Sequence, residues 1–269
     1  MMAMGRMAGL QVSLLLLLQL LLTGLSSAML CVQIPGNLKQ IDVSNGHVFG
    51  VNYEDQIYTW YENSWTQING ALKHVSVGPA GIWGVNRGDS IYRMVGGKWV
   101  QMQGLLKQID AGGDEFISGA NSNDDIFCMS KSGTIPAKVQ SSSLPWVQIE
   151  GKLKYISCGS LGCWGVNSGD DIYYLWNSSP DSCQGSSWQH VEGKLSMIEA
   201  GTEGTVYGVN AQGMVYHRDG ITASNPIGTS WIQVDSCGYK FKHVSYDLGF
   251  LWMLTTDGTI LKCSIACAE

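Results

Sequence analysis

The sequence predicts an all-β chain folded as a six-bladed β-propeller of four-stranded antiparallel blades, and three observations lead there. A tryptophan-anchored segment recurs as Trp65-Thr-Gln-Ile-Asn-Gly-Ala-Leu-Lys, Trp99-Val-Gln-Met-Gln-Gly-Leu-Leu-Lys, Trp146-Val-Gln-Ile-Glu-Gly-Lys-Leu-Lys, Trp188-Gln-His-Val-Glu-Gly-Lys-Leu and a divergent Trp231-Ile-Gln-Val-Asp. A further copy has Cys31 in the tryptophan's place. Each anchor is followed by a second element, Gly50-Val-Asn-Tyr-Glu-Asp-Gln-Ile-Tyr58 and its counterparts from Gly84, Gly119, Gly165 and Gly208, with a degenerate copy from Met253; the starts lie 34, 35, 46, 43 and 45 residues apart. That period is the signature of small sheets repeated radially. Finally, no stretch after residue 28 sustains a helical period.

Residues 1–28 read as a leader rather than as structure. Arg6 precedes an apolar run from Leu10 to Leu22, and Ser26-Ser-Ala28 supplies small residues for cleavage, the pattern of a secretory signal. The run is shorter than the ~20 residues a membrane-spanning helix needs. Residues 29–269 are then one extracellular domain, with about 40 residues for each of six units, the size of a four-stranded blade.

One unit illustrates the strands. Leu72-Lys-His-Val-Ser-Val77 alternates apolar with polar, and Gly78 to Gly81 is a turn. Ile82 to Val85 is a second strand, Asn86-Arg-Gly-Asp-Ser90 a turn, Ile91 to Met94 a third strand, and Trp99 to Met102 a fourth after a Gly-Gly hairpin. Counted from Leu38, each unit takes its fourth strand from the tryptophan segment that follows, but the last unit runs out of chain at Glu269. Cys31-Val-Gln-Ile34 can supply the missing strand and so remove an exposed sheet edge.

All eight cysteines follow the leader, as expected for disulfides in an exported chain. The repeat register suggests Cys31 with Cys263, which would lock the ring, then Cys158 with Cys163 across a tight loop, Cys128 with Cys183, and Cys237 with Cys267. Eight cysteines allow many other pairings. Zinc at Cys158 and Cys163 is disfavoured by their spacing and the lack of a second ligand pair.

Sixteen basic and 22 acidic residues give a net charge of −6, and loss of Arg6 with the leader makes it −7. Nucleic acid and anionic membranes select an excess of Lys and Arg, so both are excluded as principal partners. High aromatic and low charged content suits a neutral polar ligand.

The paired motifs W-x-Q-I-x-G-x-L-K and G-V-N-x-x-D-x-I-Y resemble the tectonin repeat across essentially the whole mature chain. With a leader, six repeats and a cysteine-tied C-terminus, the sequence resembles the fish-egg lectins and the horseshoe-crab tachylectin of the same repeat type. The resemblance implies a secreted, non-catalytic protein that binds glycans, notably those containing N-acetylglucosamine, and bacterial lipopolysaccharide, in egg or plasma defence. Gly213 and Gly258 depart from the pattern, standing where the first four units have Asp55, Asp89, Asp124 and Asp170.

A sugar site needs an aromatic face for the ring's C–H surface and planar donors and acceptors for its hydroxyls. The candidates on the second turns are Asn86, Arg87 and Asp89 in unit two and Asn167, Asp170 and Asp171 in unit four, each set facing a neighbouring blade's Lys73, Lys107 or Lys154. Structural roles compete for the same residues. The tryptophans suit packing between blades, the asparagines suit their own turns, and the aspartates can cap those turns. Calcium is compatible with the sequence but not required by it, since it needs 6–8 oxygens and no dense acidic loop is present. No other cofactor is implied.

Catalysis is the competing class. A sialidase-type propeller needs an arginine cluster, whereas Arg87, Arg93 and Arg218 are the arginines after the leader. G-x-S-x-G, H-E-x-x-H and a phosphate-binding glycine loop are all absent. A protein-interaction propeller without sugar recognition fits the composition equally, and a homodimer is compatible with it. Asn177-Ser-Ser179 is the one N-x-[ST] acceptor after the leader, placed in the long loop beside Cys183 as a candidate glycosylation site.

Overall fold

The computed structural model describes residues 29–135, 143–236 and 238–265. Its strands form six four-stranded sheets. The first blade is β2 (Gln40–Ser44), β3 (His47–Val51), β4 (Gln56–Tyr61) and β5 (Ser64–Ala71). The second is β6 (His74–Gly78), β7 (Gly81–Val85), β8 (Ser90–Val95) and β9 (Lys98–Leu105). The third is β10 (Gln108–Asp110), β11 (Ile117–Ala120), β12 (Asp125–Met129) and β13 (Val147–Lys152), with the short helix α1 (Lys131–Thr134) after β12. The fourth is β14 (Tyr155–Gly159), β15 (Gly162–Val166), β16 (Asp171–Trp176) and β17 (Ser187–Lys194). The fifth is β18 (Met197–Ala200), β19 (Val206–Val209), β20 (Val215–Asp219) and β21 (Ser230–Gln233).

The sixth blade closes the ring. It holds β22 (Phe241–Asp247), β23 (Phe250–Thr255), β24 (Ile260–Ile265) and, as its outer strand, β1 (Met29–Ile34). Cys31 faces Cys263 in the register of β1 and β24, and the two form a disulfide across 232 residues of sequence. In the chain-entropy account such a loop is worth up to about 4–5 kcal/mol. Cys128–Cys183 and Cys158–Cys163 are also bonded. Cys237, Cys267 and the leader lie outside the described residues.

Burial falls from the axis outward. The innermost strand β2 is buried along its whole length, whereas the outer β5 is mostly exposed. The core is divided into packets between neighbouring blades; Ile34, Leu38, Ile41, Val43, Trp252, Leu254 and Ile260, for example, fill the seam between the sixth blade and the first.

The glycine of W-x-Q-I-x-G explains how neighbouring blades approach. In the first four blades the third and fourth strands shift register at this point, Gln56 pairing with Ala71 and Ile57 with Ile68 in the first. The extra residues form a β-bulge, and Gly70, Gly104, Gly151 and Gly193 take φ between 111 and 123°, a region open chiefly to glycine. A Cβ at Gly70 would come within 2.9 Å of the Trp99 ring of the next blade. The anchor tryptophan and this glycine are thus two sides of one contact.

Round the axis, five of the six neighbouring pairs of inner strands are tied by a side chain that accepts a backbone N–H. Val77 N–H donates to Asp42 (2.6 Å), Ala111 to Ser76 (2.9 Å), Cys158 to Asp110 (3.0 Å), Ala200 to Ser157 (3.0 Å) and Val43 to Ser245 (2.9 Å). With Glu199 of β18 in the remaining place, carboxyls alternate with serines round this belt. Beside it the Tyr155 hydroxyl lies 3.3 Å from His74 Nε2 and 3.2 Å from His243 Nε2, all three rings crossing the channel.

Candidate functional site

Two features of the repeat meet on one rim of the ring. The Asn-to-Asp turn between second and third strands receives the link that enters the next blade: Leu72 N–H donates to Asp55 C=O, Leu106 to Asp89, Leu153 to Asp124, Leu195 to Asp170, Phe241 to Gly213 and Leu38 to Gly258, at 2.9–3.0 Å. The accepting residue has a left-handed backbone in the aspartate blades, φ 63–66°, and in Gly213 and Gly258, φ 76 and 92°. Asp is among the few non-glycine residues that tolerate this conformation, so Asp and Gly alternate here for a backbone reason.

Each of the four aspartate side chains pairs with a lysine of its own blade. Lys39 pairs with Asp55, Lys73 with Asp89, Lys107 with Asp124 and Lys154 with Asp170. This differs from the expected pairing with a neighbouring blade's lysine. The lysine immediately precedes the same blade's inner strand, and the turn folds back over it. Unit five has lost both partners together, with Ser196 and Gly213 in their places. Against the desolvation that raises it, Lys39 and Arg87 hold the Asp55 carboxyl below its usual range, and Lys73 with Ser122 does the same for Asp89.

The residue after the asparagine reaches back to the preceding blade. Arg87 Nε donates to Asp55 Oδ2 at 2.9 Å while most of its side chain stays exposed, and Ser122 Oγ donates to Asp89. Asn86 Oδ1 accepts from Gly88 and Ser90, and Asn167 Oδ1 from Gly169 and Asp171, so both asparagines fasten their own turns. Asp171 is bonded by Lys194 and Asn167, which lower its pKa. Of the sequence candidates, Arg87 and Asp89 are joined to the neighbouring blades through Asp55 and Ser122, and Asn167, Asp170 and Asp171 are held within the fourth blade's own turn and lysines, so no single one stands as an isolated ligand donor. The aspartates meet lysines rather than one another, and among the described residues no cluster of acidic, His or Cys side chains is placed to hold a metal ion.

Beneath this rim, between blades, lie clefts. The first, about 410 Å³, is lined by Asn37 and Leu38 of the link, Asn52, Tyr53 and Glu54 of the turn, Tyr58 and Trp65. The fourth blade has its counterpart, about 300 Å³, lined by Lys152, Leu153, Asn167, Tyr173 and Trp188. Each therefore joins an indole, a phenol, a carboxamide and a link backbone in a concave surface. The tryptophans join neighbouring blades and also line the clefts. Trp65 Nε1 donates to Pro35 C=O (2.8 Å) and Trp188 Nε1 to Glu150 C=O (2.8 Å), fastening blade to blade, while the rings line the clefts. Tyr58 and Tyr173 were not singled out from the sequence. The signal lies in the Ile-Tyr pair ending each second motif: Ile57 and Ile172 are fully buried, and strand alternation turns the following tyrosine to the other face.

The most strongly perturbed acids lie elsewhere. Asp42, Asp110 and Glu199 are buried in the channel belt. Desolvation, followed by repulsion from Asp42, pushes Asp110 up to about 8, and burial raises Asp42 and Glu199 as well. Burial likewise depresses His74 and His243 to about 3. The arginines have structural partners: Arg93 lies over Trp83, and Arg218 donates to Ile227 C=O and lies over Trp231.

The tectonin domain family matches residues 37–256. The chain is 58% identical to the fish-egg lectin of Cyprinus carpio over 234 residues, covering 87% of this chain and 98% of that one. It is also 42% identical to Tectonin-1 of Physarum polycephalum over 76 residues, 28% of this chain and 31% of that protein. Among solved structures, virginiamycin B lyase from Staphylococcus aureus superposes with a TM-score of 0.57 at 14% identity, covering 84% of this chain and 80% of that one, a likeness of fold alone. Matched over most of its length by the family and by a relative of almost equal extent, this six-bladed propeller belongs to the tectonin family.

Proposed function

We propose that this protein is a secreted lectin that binds glycans through the clefts between its blades. The observation that carries the reading is the repeated cleft of tryptophan, tyrosine and asparagine, seen at Trp65, Tyr58 and Asn52 and again at Trp188, Tyr173 and Asn167. An aromatic face meets a sugar's C–H surface, and the carboxamide and link backbone meet its hydroxyls. Asn86, Arg87 and Asp89, with Asn167, Asp170 and Asp171, supply polar groups on the rim above. Similarity to a fish-egg lectin supports the same reading. We assign the ligand class as glycans containing N-acetylglucosamine, including bacterial lipopolysaccharide, and the role as defence in egg or plasma.

Clefts of this kind hold a monosaccharide weakly, with a Kd of about 1 mM, equivalent to about −4 kcal/mol. Several on one rim facing a repetitive polysaccharide raise avidity by ~10²–10⁴. The test is a glycan array read with and without free N-acetylglucosamine. Selective binding that the free sugar removes supports the lectin reading, and binding to no glycan, or binding indifferent to competition, overturns it in favour of a protein-interaction propeller.

A further inference from the structure

The clefts differ where the ring closes. In the second and third blades, the residue after the turn asparagine bonds the aspartate of the preceding blade, as Arg87 does Asp55 and Ser122 does Asp89. The first blade is preceded by the sixth, which carries Gly258 in place of that aspartate. Lys242, which stands in the sixth blade where Lys73 stands in the second, is left without the acid its counterparts use. It turns to the first blade instead. Its Nζ hydrogen-bonds the Tyr53 hydroxyl and lies 4.5 Å from the centroid of the Tyr53 ring.

Tyr53 is thereby fixed at the mouth of the first cleft. It is 48% exposed, and it lines that cleft with Asn37, Glu54, Tyr58 and Trp65. In the fourth blade the corresponding residue is Ser168, which does not line the cleft, and the space is roughly a quarter smaller. The first cleft thus has a second aromatic platform held in place by the hydrogen bond from Lys242 to its hydroxyl, which lowers the entropy lost when a ligand stacks on it.

We propose that the first cleft is an extended subsite for a disaccharide of neutral N-acetylated amino sugars, one unit against Trp65 and Tyr58 and the second against Tyr53, whereas the fourth cleft takes one unit. Lys242 acts as a positioning residue for Tyr53. Glu54, exposed in the same turn, places negative charge at this end and disfavours acidic sugars. The proposal rests on the lectin reading above and adds the length and charge of the ligand at one site.

The experiment titrates the mature protein with N-acetylglucosamine and with N,N′-diacetylchitobiose, following the indole NMR signals of Trp65 and Trp188 separately. In the wild type, the disaccharide should bind the Trp65 cleft about ten-fold more tightly than the monosaccharide, the magnitude of one added aromatic contact, and the Trp188 cleft with no such preference. Tyr53→Ala should remove the preference, bringing the disaccharide affinity of the Trp65 cleft down to that of the monosaccharide, with the fold kept because a half-exposed ring is truncated and no core packing is lost. Tyr53→Phe keeps the ring and should retain most of the preference, and Lys242→Met should weaken it. Full preference in Tyr53→Ala, or equal preference at both tryptophans, overturns the extended subsite while leaving the lectin reading intact. A wild type that perturbs neither indole with either sugar overturns both.

Discussion

Asp170 and Gly213 hold the same place in successive blades, each with a left-handed backbone and each accepting the N–H of the next link, from Leu195 and Phe241 respectively. Exchanging one residue for the other therefore separates the backbone role of the aspartate from its side-chain role. Asp170→Gly should keep the fold, with a fall in Tm of only a few degrees. Asp170→Ala should be destabilised by a further ~1 kcal/mol, since alanine pays the left-handed penalty without the side chain's local bonds. Thermal melts of the two variants check this ordering. If both are equally stable but Asp170→Gly binds N-acetylglucosamine surfaces less well, the carboxylate contributes to the rim of the sugar site.

Ring closure gives a second prediction. β1 completes the sixth blade and is tied through Cys31–Cys263, so deleting residues 29–36 uncovers the edge of β24. Such an edge templates pairing with other chains. The truncated protein should aggregate and lose several kcal/mol of stability, the bond alone accounting for up to about 4–5. Size-exclusion chromatography and a thermal melt test it, and a truncated protein as monodisperse and stable as the full mature chain contradicts the closure argument.

The buried histidines and the buried acids of the channel belt make stability depend on pH with opposite signs, Asp42 and Glu199 acting in the same direction as Asp110. His74 and His243 have folded pKa values of about 3 against 6.5 unfolded, so the unfolded chain binds more protons between those limits and their contribution is lost as pH falls below about 6.5. The lowered Asp55 and Asp89 add to the loss below about pH 4. Asp110 has the opposite sign: raised to about 8 from 3.8, it binds its proton in the folded state, and stability declines as pH rises across that interval. Above pH 6.5, where the histidines no longer oppose it, Tm should fall toward pH 8. Asp110→Asn keeps an acceptor for Cys158 N–H and should flatten that decline. An unchanged slope in the variant assigns the alkaline loss elsewhere.

Glycosylation is tested simply. Asn177 is exposed in the loop beside Cys183, with a left-handed backbone and its Nδ2 bonded to Ser186 Oγ. Enzymatic deglycosylation of secreted protein should lower its mass, and Asn177→Gln should abolish the change. No mass shift removes the modification.

Much of the architecture was legible because the repeat is written twice in every unit. Trp99 and Gly70 recur at fixed spacing since they touch across blades, and Cys31 stands opposite Cys263 because the first strand fills the last blade's vacancy. The local partners were less legible. Lys154 and Asp170 are 16 residues apart, and nothing in that separation shows that the turn folds back over its own blade. Tyr53 and Lys242 are 189 residues apart, and their contact arises from a missing acid at Gly258, which a motif search registers only as degeneracy. The tyrosines of the clefts were hidden for another reason: an aromatic recurring in a strand is expected in packing, and only its placement shows which face lines a cleft.

The central claim is that the clefts between blades bind sugar, and its most direct test is retention on immobilised lipopolysaccharide of wild type and a Tyr58→Ala, Tyr173→Ala double variant matched for folding by circular dichroism and melting. The wild type should be retained, eluted by free N-acetylglucosamine and not by salt, as expected for an acidic protein bound through hydroxyl and stacking contacts. The double variant should lose at least ten-fold in apparent affinity, since two of the contributing clefts lose an aromatic wall. A folded double variant retained as strongly as the wild type, and released by salt rather than sugar, would contradict the account.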